Sequence, residues 1–131
     1  MTAVIVFAHG SSVEAANDGV RAMSAEMARR GGFPLVETAF LELAQPALPE
    51  AVRAVQARGA TRVVVVPFFL TLGIHLRRDL PAIVDEIRGM YDSFAIEIAS
   101  PLEGHPALVD VMIGRANDVL KNATTHAGSS D

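Results

Sequence analysis

Val63-Val64-Val65-Val66-Pro67-Phe68-Phe69-Leu70-Thr71-Leu72-Gly73-Ile74-His75 is an apolar run that ends in a glycine-marked loop presenting one imidazole. Val63 to Val66 is too short and too β-branched for a helix. It is apolar on both faces, which suits a strand buried in a parallel sheet. Pro67 has no N–H to give to a ladder, so the chain is expected to leave the sheet near Phe68. His75 then falls in a loop just beyond the carboxyl end of a strand, the edge at which open α/β sheets bind their ligands. The N-terminal stretch Ala3-Val4-Ile5-Val6-Phe7-Ala8-His9-Gly10-Ser11-Ser12 repeats the device: an apolar strand running into a histidine and a glycine. If the two strands are neighbours, about 5 Å apart, His9 and His75 can converge on one metal ion or substrate atom.

Outward from these two strands the chain alternates strand and helix four times. Ser11 or Ser12 can cap a first helix with Ala16, Val20, Met23 and Met27 at helical spacing, stopped by Gly31-Gly32. Leu35 to Leu41 reads as a second strand, less uniformly apolar and so nearer a sheet edge, with Glu42 directly after it. A second helix opens between Pro46 and Pro49, carries Leu48, Val52 and Val55 inward and ends at Gly59. After the Val63 strand, Asp79 stands before Leu80-Pro81 like a helix cap, and Leu80, Ile83, Val84, Ile87 and Tyr91 form one stripe. Phe94 to Ala99 is the fourth strand. His105-Pro106 opens a last helix whose buried face is expected to be Leu108, Val109, Met112, Ile113, Ala116 and Leu120. Residues 122–131 read as a disordered tail that includes His126, leaving residues 1–121 as a single domain.

Strands alternating with helices of this length imply right-handed βαβ units and a four-stranded parallel sheet with helices on both faces. The expected strand order is 2-1-3-4. The chain then reverses direction between strands 1 and 3, where a cleft opens at their carboxyl ends, flanked by His9 and His75.

Composition narrows the chemistry. The 131 residues carry a net charge of −4, no tryptophan and one tyrosine, which argues against a nucleic-acid footprint. No apolar run approaches the roughly 20 residues that span a bilayer. Met1 runs straight into a strand with no leader, so a cytoplasmic protein is expected. With no cysteine there is no disulfide framework, iron–sulfur cluster or thiolate zinc site. A phosphohistidine or esterase reading is also disfavoured: Ala8 stands where a histidine phosphatase carries arginine, and no G-x-S-x-G elbow is present.

His9-Gly10-Ser11, Phe40-Leu41-Glu42, Pro67-Phe68-Phe69-Leu70, Gly73-Ile74-His75 and Asp79-Leu80-Pro81 together resemble the small CbiX-like sirohydrochlorin chelatases of class II, from Thr2 to about Leu120. The resemblance implies a chelatase-like half-length fold and a homodimer. It implies ATP-independent insertion of cobalt or ferrous iron into sirohydrochlorin, on the way to cobalamin or sirohaem. It makes His9 and His75 the metal ligands, one of them also the base, with the metal as substrate and no organic cofactor. Ser12 departs from the pattern, standing where many relatives carry arginine.

The residues suit that chemistry on their own terms. Metal insertion replaces two pyrrole N–H protons, so a ligand and a proton acceptor are needed on one side of the ring. Imidazole serves as either, with an ordinary pKa of about 6.5 and a nitrogen suited to cobalt, nickel and iron. Two histidines also release a metal that a larger cage would trap. Glu42 leaves the second strand at the same edge, as a third ligand or proton acceptor. A flat apolar tetrapyrrole rimmed by carboxylates needs an apolar slot, which Phe68, Phe69, Leu70, Leu72 and Ile74 can supply along the Leu70-Thr71-Leu72-Gly73-Ile74 loop. Arg77 and Arg78 are candidates for the carboxylates, as are the N–H groups after Gly10, at Ser11 and Ser12. A non-catalytic metal or tetrapyrrole carrier on the same fold is the alternative. His105 reads as a helix cap.

Overall fold

In the computed structural model the backbone is described to residue 130 and side chains to residue 122; of the tail expected over 122–131, the side chains beyond Asn122, that of His126 included, lie outside the described residues. The elements run β1 (Thr2–Ala8), α1 (Glu14–Gly31), β2 (Leu35–Phe40), α2 (Leu48–Ala57), β3 (Arg62–Pro67), α3 (Ile74–Arg88), β4 (Ala95–Ile98) and α4 (Pro106–Ser130). The four strands form one parallel sheet in the order β2-β1-β3-β4, the order read from the sequence. Met1–Pro101 is one compact unit, holding the sheet with α1 to α3; Leu102–Asp131 is a second and holds α4.

Parallel register fixes which side chains share a face. Ala3, Ile5 and Phe7 lie in register with Leu35, Ala39, Val63 and Val65, and all are buried. Against this face pack Leu48, Val52 and Val55 of α2 and Leu80, Val84 and Ile87 of α3, so that helical stripes of period 3.6 meet strand faces of period 2. Each such fully buried Val, Leu or Ile contributes about 1.5–3 kcal/mol. The opposite face carries Val6 and Thr38, which share a register position. There Thr38 Oγ1 donates to Ser24 Oγ of α1 at 2.8 Å, so α1 covers the other face and the sheet has helices on both sides.

Three local expectations need correction. The buried positions of α1 are Asn17 and Ser24; Ala16 and Met23 are exposed, and Val20 and Met27 only half-buried. The helix meets an edge strand that offers a hydroxyl, and a polar stripe answers it. Neither Ser11 nor Ser12 caps the helix: Val13 is the N-cap, and Ser11 Oγ instead accepts from the Val13 N–H at 3.0 Å. Helix α3 starts at Ile74 with Gly73 as N-cap, five residues ahead of Asp79, so Pro81 lies inside it.

The last helix also differs. His105 does cap it, its Nδ1 accepting from the Ala107 N–H at 3.1 Å. Val109, Met112 and Ile113 form the stripe their spacing implies, yet each is more than half exposed, as is Leu120; Ala116 is exposed too, and Leu108 is only half-buried. Periodicity specifies an apolar face and does not say what covers it.

Candidate active site

The pairing of β1 with β2 runs on past both strands. Leu41 N–H donates to Ala8 O at 2.9 Å and Glu42 N–H to His9 O at 3.0 Å, zipping the two exit loops together. Gly10 makes the close approach possible. Its φ is +94°, and a Cβ built there would stand 1.8 Å from the Glu42 carbonyl oxygen. The side chains then meet: His9 Nε2 lies 2.7 Å from Glu42 Oε1, with 59% and 58% of the two side chains exposed. A pair this exposed contributes only about 0.2–1 kcal/mol by itself, so the backbone zipper sets the geometry. A carboxylate oxygen accepts, so Nε2 of His9 is the donor in this contact, and in the neutral imidazole the remaining lone pair is on Nδ1.

On the other flank Phe68 N–H donates to Phe7 O at 2.7 Å, carrying the β1–β3 ladder to the point where the chain leaves the sheet. His75 is in the first turn of α3, not in the preceding loop as expected, because that helix begins early; Arg77 N–H closes the turn on Gly73 O at 2.9 Å. Arg77 and Arg78 consequently lie within the helix. Arg78 Nη2 stands 3.3 Å from His75 Nδ1 and its Nε 3.6 Å from Asp79 Oδ1. Guanidinium can only donate, so Nδ1 of His75 accepts in this contact. His9 and His75 follow adjacent parallel strands and therefore share the carboxyl edge at the switch point. Among the described residues no three His, Asp or Glu side chains gather around one point, so Glu42 does not complete a three-ligand cage with them.

The expected apolar slot divides in two. Leu70 and Ile74 stand 67% and 81% exposed, with Thr71 and Gly73 exposed between them, whereas Phe68, Phe69 and Leu72 are half-buried. Phe69 lies against the Phe7 ring at 6.0 Å and belongs to the core. Leu41 and Leu43, exposed on either side of Glu42, are apolar rim residues the sequence reading passed over. Leu43 holds φ +65°, uncommon for a leucine, and nothing in the local sequence signals it. Asn17 was passed over too. It is buried and bonds the Ser11 backbone at both ends, and a poor helix former inside an alanine-rich helix was the available signal. A cavity of about 420 Å³ lined by Met23, Glu26, Met27, Arg30 and Gly31 of α1 contains none of these residues.

The parallel sheet has the order 2-1-3-4, one histidine leaves β1 and another lies in the first turn of the helix after β3. The CbiX family profile matches residues 3–119, and the chain belongs to that family. It is 32% identical over 124 residues to a sirohydrochlorin cobaltochelatase of Sulfurisphaera tokodaii, covering 95% of this chain and 98% of that one. It is 32% identical over 129 residues to the chloroplastic sirohydrochlorin ferrochelatase of Arabidopsis thaliana, covering 98% of this chain and 56% of the relative. The crystal structure of the sirohydrochlorin chelatase SirB from Bacillus subtilis subspecies spizizenii in complex with cobalt superposes with a TM-score of 0.83 at 27% identity, over 90% of this chain and 50% of that one. The chain thus spans about half the length of some relatives and nearly all of others.

Proposed function

We propose that this chain is a sirohydrochlorin chelatase that inserts cobalt or ferrous iron into the macrocycle without ATP, with the metal as substrate and no organic cofactor. The observation that carries the reading is the His9–Glu42 pair, held by backbone at the carboxyl edge that His75 also reaches. His9 and His75 are the metal ligands. As the divalent ion passes from His9 to the ring, the vacated Nδ1 of His9 takes one of the two pyrrole N–H protons while the Glu42 carboxylate stabilises the imidazolium, and the other proton is released to solvent. Glu42 thus serves as partner and acceptor. Leu70, Leu72 and Ile74, with Thr71 and Gly73 between them, offer the flat apolar contact. Arg77, Arg78 and the Ser11 and Ser12 N–H groups receive the rim carboxylates. A carboxylate drawing Arg78 off His75 would free Nδ1 for the metal as the tetrapyrrole arrives.

We infer a homodimer in the cytoplasm. The apolar stripe of α4, exposed at Val109, Met112 and Ile113, supports the pairing. No helix among the described residues is long and apolar enough to cross a membrane.

The test is turnover of sirohydrochlorin with cobalt, ferrous iron and nickel in parallel. A chelatase exceeds one metal inserted per chain, whereas a carrier stops at stoichiometry. His9→Ala and His75→Ala should each abolish turnover, and the double variant should be scarcely worse, since residues acting as a unit are non-additive. Glu42→Gln keeps an acceptor for His9 but removes the charge, and should lower kcat at least tenfold. Near-normal turnover by His75→Ala would overturn the assignment.

A further inference from the structure

Asn17 is buried on α1, yet its amide reaches out of the helix to the loop that carries His9. Its Oδ1 accepts from the Ser11 N–H at 2.9 Å, and its Nδ2 donates to the Ser11 carbonyl at 2.8 Å and to Glu14 Oε2 at 3.2 Å. One side chain therefore grips both polar groups of a single loop residue two positions beyond His9. A buried asparagine so used is neither a helix former nor a packing residue. The next turn of the same helix holds the second loop. Arg21 donates to Glu14 Oε1 at 2.7 Å and to the Gln45 carbonyl at 3.1 Å, with its guanidinium 5.1 Å from the Phe40 ring centre. Two turns of α1 thus form the base on which the His9 and Glu42 loops both rest.

We propose that Asn17 is a positioning residue, which fixes the His9-Gly10-Ser11 loop so that the His9 imidazole is presented to the metal already paired with Glu42. The inference rests on His9 being a metal ligand. With the Ser11 clamp gone, the Glu42 N–H to His9 O bond is the last backbone restraint on the loop; Gly10 beyond it is permissive, and the exposed His9–Glu42 side-chain contact adds little.

The experiment compares Asn17→Ala with Ser24→Ala. Both remove a buried polar side chain from α1, but Ser24 bonds Thr38 and Val20 O and touches neither loop. Steady-state insertion is measured well below the melting temperature of each folded protein. Asn17→Ala should raise the KM for cobalt or lower kcat by tenfold or more, with the KM for the tetrapyrrole within twofold of wild type, while Ser24→Ala stays within twofold in every constant. In ¹⁵N-edited spectra the His9 ring should show a single Nε2–H tautomer in wild type and Ser24→Ala, and a mixture in Asn17→Ala. Equal losses in the two variants would mean a merely structural role and would overturn the proposal. Should Asn17→Ala not fold, amide exchange in the wild-type protein decides: the Ser11 N–H should exchange at least a hundredfold more slowly than an open loop amide, and unprotected exchange refutes the clamp. His9→Ala separates the two readings. If it retains turnover, the ligand assignment fails; if it is inactive while Asn17→Ala matches wild type, only the positioning role fails.

Discussion

At the scale of single residues, the site depends on what is missing at position 10 as much as on what is present at 9 and 42. A methyl group at Gly10 would meet the Glu42 carbonyl oxygen far inside contact distance, and the backbone there is left-handed. Gly10→Ala therefore has to push the two exit loops apart. Turnover should fall more than tenfold, and the Glu42 N–H to His9 O bond should lose its protection in amide exchange. The fold should survive, because the core cluster on the α2–α3 face contains none of these residues. That one histidine follows β1 and another follows β3, each beside a glycine-marked turn, was legible in the sequence. That Glu42 would touch His9 was not, since the contact joins residues 33 apart and depends on β2 lying beside β1.

At the scale of elements, α1 is the one whose chemistry runs against its pattern. Its apolar residues suggested an inward face, yet Asn17 and Ser24 are buried instead. Ser24→Ala leaves the Thr38 hydroxyl without its acceptor, and should lower stability by about 1–3 kcal/mol in urea denaturation. Thr38→Val and Ser24→Ala together should cost less than the single change implies, since both polar partners are then gone. Between β3 and β4, Arg62 Nε donates to Glu97 Oε1 at 2.6 Å and holds the Glu97 carboxyl below its usual range. A carboxyl depressed in the folded state contributes stability that is complete above its unfolded pKa, about 4.3, and is lost as pH falls through the folded value. Glu97→Gln should therefore lower stability slightly near neutrality and converge on wild type as pH falls below about 4, which flattens the acid limb of the curve.

At the scale of the whole molecule, the exposed stripe on α4 is the surface to test for association. Light scattering at micromolar concentration should find a species of twice the 13.9 kDa chain. Ile113→Glu, which places a charge in the stripe, should shift it towards the single chain. A wild-type protein that scatters as one chain would remove the dimer. The sequence by itself determined the four strands, their order, the inward stripes of α2 and α3, and the two histidines, because each of these is written in local periodicity and in punctuation by glycine and proline. Only the tertiary structure decided the rest: the polar seam under α1, the early start of α3 that takes His75 into a helix, and the contact of His9 with Glu42. These depend on which neighbour a side chain finds across the sheet, and a neighbour brought in from tens of residues away leaves no trace in local spacing.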